Sequence, residues 1–130
     1  MPFKTTLFSI LMSVAFVANA EEIKLTQQDL LGAWTINFES INADGKDPKA
    51  LNSKWTFRND GTMEGTSSDT NTHARISEIR AVVTYSVEDG KLHKQASPGR
   101  SKIETCTAIE KNGNKMTLEC NHIYFFMTKN

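Results

Sequence analysis

Beyond residue 30 the chain is governed by period-two alternation of apolar and polar positions. Trp34, Ile36 and Phe38 alternate with Thr35, Asn37 and Glu39, and Trp55 and Phe57 alternate with Thr56 and Arg58. Such alternation is the mark of strands buried on one face only. The longest run is 79–88, where Ile79, Ala81, Val83, Tyr85 and Val87 fall on one side. Weaker strands are predicted at 62–68, 91–97, 102–110, 115–121 and 123–128, with Leu92 and Ala96 inward on the second of these. Residues 115–128 can also be read as a single bent strand. The turns between strands carry their own signals. Asn59-Asp60-Gly61, Glu88-Asp89-Gly90 and Ser97-Pro98-Gly99-Arg100 supply residues that tolerate tight backbone reversal. Polar stretches 41–53 and 66–74 read as loops. Ahead of the strands, residues 26–32 (TQQDLLG) predict a short helix, with Thr26 as N-cap, Asp29 in the first turn and Gly32 as terminator. About eight short strands joined by tight turns predict an all-β, antiparallel up-and-down barrel with a short N-terminal helix, a closure that removes exposed sheet edges.

One hairpin can be placed in register. With Asn112-Gly113-Asn114 as a three-residue loop, Lys111 faces Lys115 and Cys106 falls opposite Cys120. Directly opposed residues bring their Cβ atoms near disulfide distance. Ala108, Met116 and Leu118 share the cysteines' face, whereas Thr105, Thr107, Thr117 and Glu119 take the other. The bridge is therefore expected on the core side, with Ile109 the misfit on the polar face.

Composition sharpens this picture once the first 20 residues are set apart. Lys4, the apolar run Leu7–Val17 and the small-x-small Ala18-Asn19-Ala20 together predict a cleaved secretory signal, too short to span a bilayer. The predicted mature domain is 21–130, periplasmic or secreted, with no membrane span. The full chain balances 15 basic against 15 acidic residues; loss of Lys4 leaves the mature part at net −1. Neutrality excludes a strongly basic nucleic-acid binder. About a third of the mature residues are apolar, a small core in which a disulfide is useful. An oxidising compartment and an even cysteine count point the same way, because the spacing fits no zinc or Cys-x-x-Cys pattern.

The order of these motifs resembles the small bacterial lipocalin-like domains. The features are a leading helix, Gly32-Ala33-Trp34, the hairpin Trp55-Thr56-Phe57-Arg58-Asn59-Asp60-Gly61-Thr62, then Tyr85-Ser86-Val87-Glu88-Asp89-Gly90-Lys91-Leu92, and a closing aromatic strand at Tyr124-Phe125-Phe126. The resemblance covers most of 26–129. It implies a barrel whose base is closed by Trp34 after Gly32, with Lys129 from the last strand as the basic partner. A weaker similarity, on the same Trp and Asp-Gly features, is to periplasmic META-type β domains.

Catalytic and metal motifs are lacking. His73, His93 and His122 have no ligand spacing, and read with Met63, Met116 and Met127 as surface histidines and core methionines. No Gly-x-Ser-x-Gly, phosphate loop or unpaired cysteine occurs, and Glu88 and Asp89 sit side by side on a turn. Lys91, Lys94, Arg100 and Lys102 read as a solvated hairpin edge. The expected role is non-enzymatic and needs no cofactor: an exported protein binding a small apolar or amphipathic ligand. Trp34, Phe38, Trp55, Phe57 and Tyr85 are the expected pocket walls, and loop 41–53 the lid. The competing expectation is a filled barrel serving as a protein-interaction module, an inhibitor or accessory subunit, signalled by exposed aromatics at Phe125 or Phe126.

Overall fold

The structure, a computed structural model, describes residues 22–68 and 78–130. The predicted signal segment, His73 and most of the polar stretch 66–74 lie outside those residues. The elements run α1 (Gln27–Leu30), β1 (Gly32–Ser40), β2 (Lys49–Phe57), β3 (Thr62–Ser68), β4 (Glu78–Glu88), β5 (Lys91–Gln95), β6 (Ile103–Asn112), β7 (Lys115–Cys120) and β8 (Ile123–Lys129). Every strand pairs antiparallel with its sequence neighbour, and β1 pairs with β8 to close the barrel. The predicted up-and-down architecture is therefore the one observed.

Helix α1 plugs one end. Thr26 and Asp29 form a reciprocal capping box, which fixes where this very short helix begins. Lys111, near the end of β6, reaches Asp29 at 3.2 Å and ties the plug to the barrel rim. Burial raises the Asp29 carboxyl's pKa, but hydrogen bonds from Thr26 and the Lys111 ammonium outweigh it and hold the group below its ordinary value. Gly32 then opens β1 at φ 114°, a left-handed conformation that glycine adopts freely. A Cβ there would also lie 3.2 Å from Lys129 Cε.

The β6–β7 hairpin corrects the predicted loop while keeping the predicted bridge. The turn has two residues, Gly113 and Asn114, so Lys111 faces Met116 rather than Lys115. A bulge at Ile109 then takes up one extra residue and restores Cys106 opposite Cys120. Ile109, the misfit apolar residue, is the extra residue of that bulge and lies exposed at the surface. The disulfide Cys106–Cys120 is present, with both residues buried inside the barrel.

Other boundaries also differ. The loop expected at 41–53 spans only 41–48, because β2 begins at Lys49 and pairs with the end of β1. Its first residues are mostly small and polar, so they carry no strand signal. Residues 115–128 are two strands, not one. They reverse at Asn121 and His122, both at positive φ, with Cys120 facing Ile123. Strand β5 stops at Gln95, leaving Ala96 exposed in the following turn rather than inward.

Candidate functional site: the barrel interior above the plug

Register and burial divide the interior into two parts. The lower part, against α1, is sealed. Leu30, Trp34, Ile36, Phe57, Met116 and Met127 are essentially inaccessible. The indole N–H of Trp34 donates to the Leu30 carbonyl at 2.8 Å, which satisfies the one polar atom this large side chain brings inside. Lys129 Nζ lies 5.7 Å from the centre of the Trp34 ring, so the basic partner implied for the barrel base is in place. Tyr85 packs edge-on against Phe57 at 5.1 Å, and its hydroxyl donates to the Arg58 carbonyl at 2.6 Å. Trp34, Phe57 and Tyr85 thus form a floor rather than an open wall.

Above the floor the inward positions change character. Leu51, Trp55, Gly65, Ala81 and Phe125 all point into the barrel by register, yet remain only partly buried. Trp55 packs on Phe57 below (6.4 Å) and on Phe125 beside it (5.2 Å). Small residues face it. Gly65, directly paired with Trp55, would place a Cβ 3.8 Å from the indole ring. Two neighbouring inward positions, Lys94 and Glu104, bear charge. Lys94, paired with Tyr85 on one side and Glu104 on the other, is buried, and among the described residues no other charged residue is. Its ammonium sits 5.5 Å from the centre of the Trp55 ring and 3.3 Å from the Glu104 carboxylate. Lys94 therefore does not belong to a solvated hairpin edge with Lys91, Arg100 and Lys102. Its strand parity puts it on the face of Leu92, and Glu104 on the next strand makes burial tolerable.

Phe38 is the site residue that the structure does not bring inside. A β-bulge at Asn37 breaks the alternation of β1, so Ile36 pairs with inward Met127 while Phe38 pairs with outward Phe126. The two rings stack outside the barrel at 4.4 Å. Loop 41–48 folds over them: a Cβ on Gly45 would lie 3.4 Å from each ring, and Ser40 donates to the Lys46 carbonyl. The loop packs on the outer wall, a different task from the lid expected of it. Past the bulge, Glu39 takes the inward parity and shares its face with Phe125 and Lys49. Sequence reading missed Lys94, Glu104 and Glu39. For Lys94 and Glu104 the signal was available only as a cross-strand pair of opposite charges, and it needs the register to be seen.

Metal chemistry finds little support among the described residues. Glu104, Cys106 and Cys120 have ligand atoms within 4.8 Å of one another. The two sulfurs are bonded to each other, however, and the carboxylate is engaged by Lys94. His93 instead contacts the Thr105 hydroxyl (3.1 Å) and the Glu88 carbonyl (3.3 Å). No described helix is long and apolar enough to cross a membrane.

A closed eight-stranded antiparallel barrel, plugged at one end by a short helix before a Gly-x-Trp strand, defines a small up-and-down β-barrel protein. The sequence model of the lipocalin-like domain matches residues 30–118, and the chain belongs to that family. In structure it is similar to a lipocalin-like protein from Bacteroides uniformis, with a TM-score of 0.60 at 14% identity over 78% of this chain and 99% of that one. An uncharacterized protein from Bacteroides eggerthii gives the same TM-score, identity and coverage. No curated protein matches the chain.

Proposed function

We propose that the protein is exported and binds a small apolar or amphipathic molecule, without catalysis, in the part of the barrel above the plug. The observation that carries this reading is the contrast within one interior: Trp34 and Phe57 are sealed, whereas Leu51, Trp55 and Phe125 keep accessible surface on inward positions. Aromatic walls with a few placed polar groups are what small-ligand sites share. Export is supported by the signal-like first 20 residues and by the Cys106–Cys120 bridge, which suits an oxidising compartment. Protein isolated from a bacterial periplasm under native conditions should begin at Glu21. Its native mass spectrum should show a small organic adduct that solvent extraction removes. An intact residue 1–20 segment would sink the export reading; adduct-free protein that takes up no apolar probe would sink the binding reading.

The alternative is a protein-interaction module with a filled barrel. Exposed aromatics at Phe125 or Phe126 would favour it. Phe125 points inward against Trp55, and Phe126 is stacked under loop 41–48. The ligand-binding reading is therefore the better supported.

A further inference from the structure

Strand β4, the longest of the barrel, is paired along only part of one side. β3 pairs with its first part, Glu78–Thr84, whereas β5 pairs only with Tyr85–Glu88. Strand β5 stops at Gln95, and the chain then folds back on itself, the Ala96 amide donating to the Lys102 carbonyl. The Gln95 side chain accepts the last amide on that side, from Thr84, at 2.9 Å. In an antiparallel strand the backbone groups of every second residue turn the same way. The Tyr85 amide donates on the β3 side, to the Gly61 carbonyl, and the Thr84 amide on the β5 side. The amides and carbonyls of Glu78, Arg80 and Val82 therefore face the β5 side, where no backbone group among the described residues meets them. The closed barrel keeps one short open edge. Ile79 is 62% exposed there and Val82 45%. An unpaired edge with exposed aliphatic side chains is a template for a further strand.

The charges along this edge say which strand fits it. Glu78 and Arg80 form an ion pair at 3.0 Å, and Arg80 also reaches Glu64 at 3.2 Å. A run of like charges would repel its own copy, but this alternation is self-complementary once the strand is turned end for end. With a two-fold axis at Ile79, Glu78 of each copy faces Arg80 of the other. These are the residues whose backbone groups are free, so the same pairs exchange hydrogen bonds. Ile79 then meets its own copy at a non-hydrogen-bonded position, where side chains approach most closely, and its exposed surface is covered. We propose that the Glu78–Arg80 edge of β4 is a self-association surface, through which two copies join antiparallel, β4 to β4, about a two-fold axis at Ile79. The Arg58–Glu64–Arg80 chain of charges then continues across the axis to Glu78 of the second copy. The contact is small, so the dimer is weak and forms with rising concentration. It does not depend on the ligand-binding reading.

The test follows the mature protein by sedimentation from about 10 μM to about 1 mM, the range in which a small interface becomes populated. Wild type should pass from monomer to dimer. Glu78→Arg and Arg80→Glu each set like charges opposite one another and should weaken dimerisation about tenfold or more. Mixed in equal amounts, these two variants are complementary again and should form a mixed dimer at least as readily as wild type does. Ile79→Cys adds a thiol to a chain whose two cysteines are bridged. Mild oxidation should link it to its own copy, because opposed strand positions lie within disulfide distance. Glu110→Cys, exposed near the plugged end, should link far more slowly. All of these positions are exposed, so the variants should melt close to wild type. Wild type that stays monomeric throughout overturns the proposal. So does a dimer indifferent to both charge variants, a mixture as monomeric as its components, or an Ile79→Cys chain that links no faster than Glu110→Cys.

Discussion

Trp34 and Trp55 sit directly opposite each other on β1 and β2, yet they occupy two different environments. Trp34 is sealed, its N–H bonded to Leu30 and its ring face covered by the Lys129 ammonium. Trp55 remains partly accessible, with a glycine as its other strand partner and the Lys94–Glu104 pair across from it. The difference does not come from the strands, which are alike. It comes from what is packed at each end: α1 supplies Leu30 and the Lys111–Asp29 tie beneath Trp34, whereas small and charged residues surround Trp55. A domain with a limited apolar supply can concentrate it in the floor and leave the upper wall only partly covered.

Truncation should separate these environments most strongly. Trp34→Ala is expected to cost about 3–5 kcal/mol, because it leaves a cavity in a closed core. Trp55→Ala should cost less, about 1–2 kcal/mol, since much of its surface is already solvated. Denaturant melts of both variants measure this; equal costs would erase the distinction between floor and wall.

The next effect concerns the wall's own brace. Replacing Cys106 and Cys120 together by serine removes a cross-link of sequence separation 14 beside Glu104, and should lower stability by about 2–4 kcal/mol. A non-reducing mass measurement of wild-type protein should show two hydrogens fewer than the reduced chain.

The smallest expected effect belongs to the plug. Asp29 is held below its ordinary pKa in the folded protein, so its contribution is complete above the unfolded value, about 4, and is lost as pH falls through the folded value. Melting temperature should therefore drop more steeply below about pH 4 in wild type than in Asp29→Asn. Parallel pH profiles for the two proteins would remove Asp29 from the account of how α1 is held.

Much of this molecule can be read without its structure, and the parts that cannot share a physical cause. The strand count, the helix before Gly32 and the Cys106–Cys120 pairing follow from alternation, capping and short-range register, and the Trp34 base from the resemblance to lipocalin-like domains. What escapes is everything set by an irregularity or by a distant partner. The bulge at Asn37 inverts the parity of Phe38 and Glu39, and no residue type announces a bulge there. The β7–β8 reversal uses Asn121 and His122 at positive φ in place of a glycine. Lys94 reads as a surface charge until β5 and β6 are aligned and Glu104 appears beside it. Two compensating shifts, a shorter turn and the Ile109 bulge, even preserve the cysteine pairing when the loop length is misjudged.

The chain holds two tryptophans, which makes the central claim directly measurable. Variants Trp34→Phe and Trp55→Phe each leave one reporter, and a bromine-tagged fatty acid quenches indole fluorescence only near contact. Quenching of Trp55 that saturates with ligand, with Trp34 emission unchanged, is the predicted result. Equal quenching of both, or quenching of Trp34 alone, would contradict a binding site above a sealed floor.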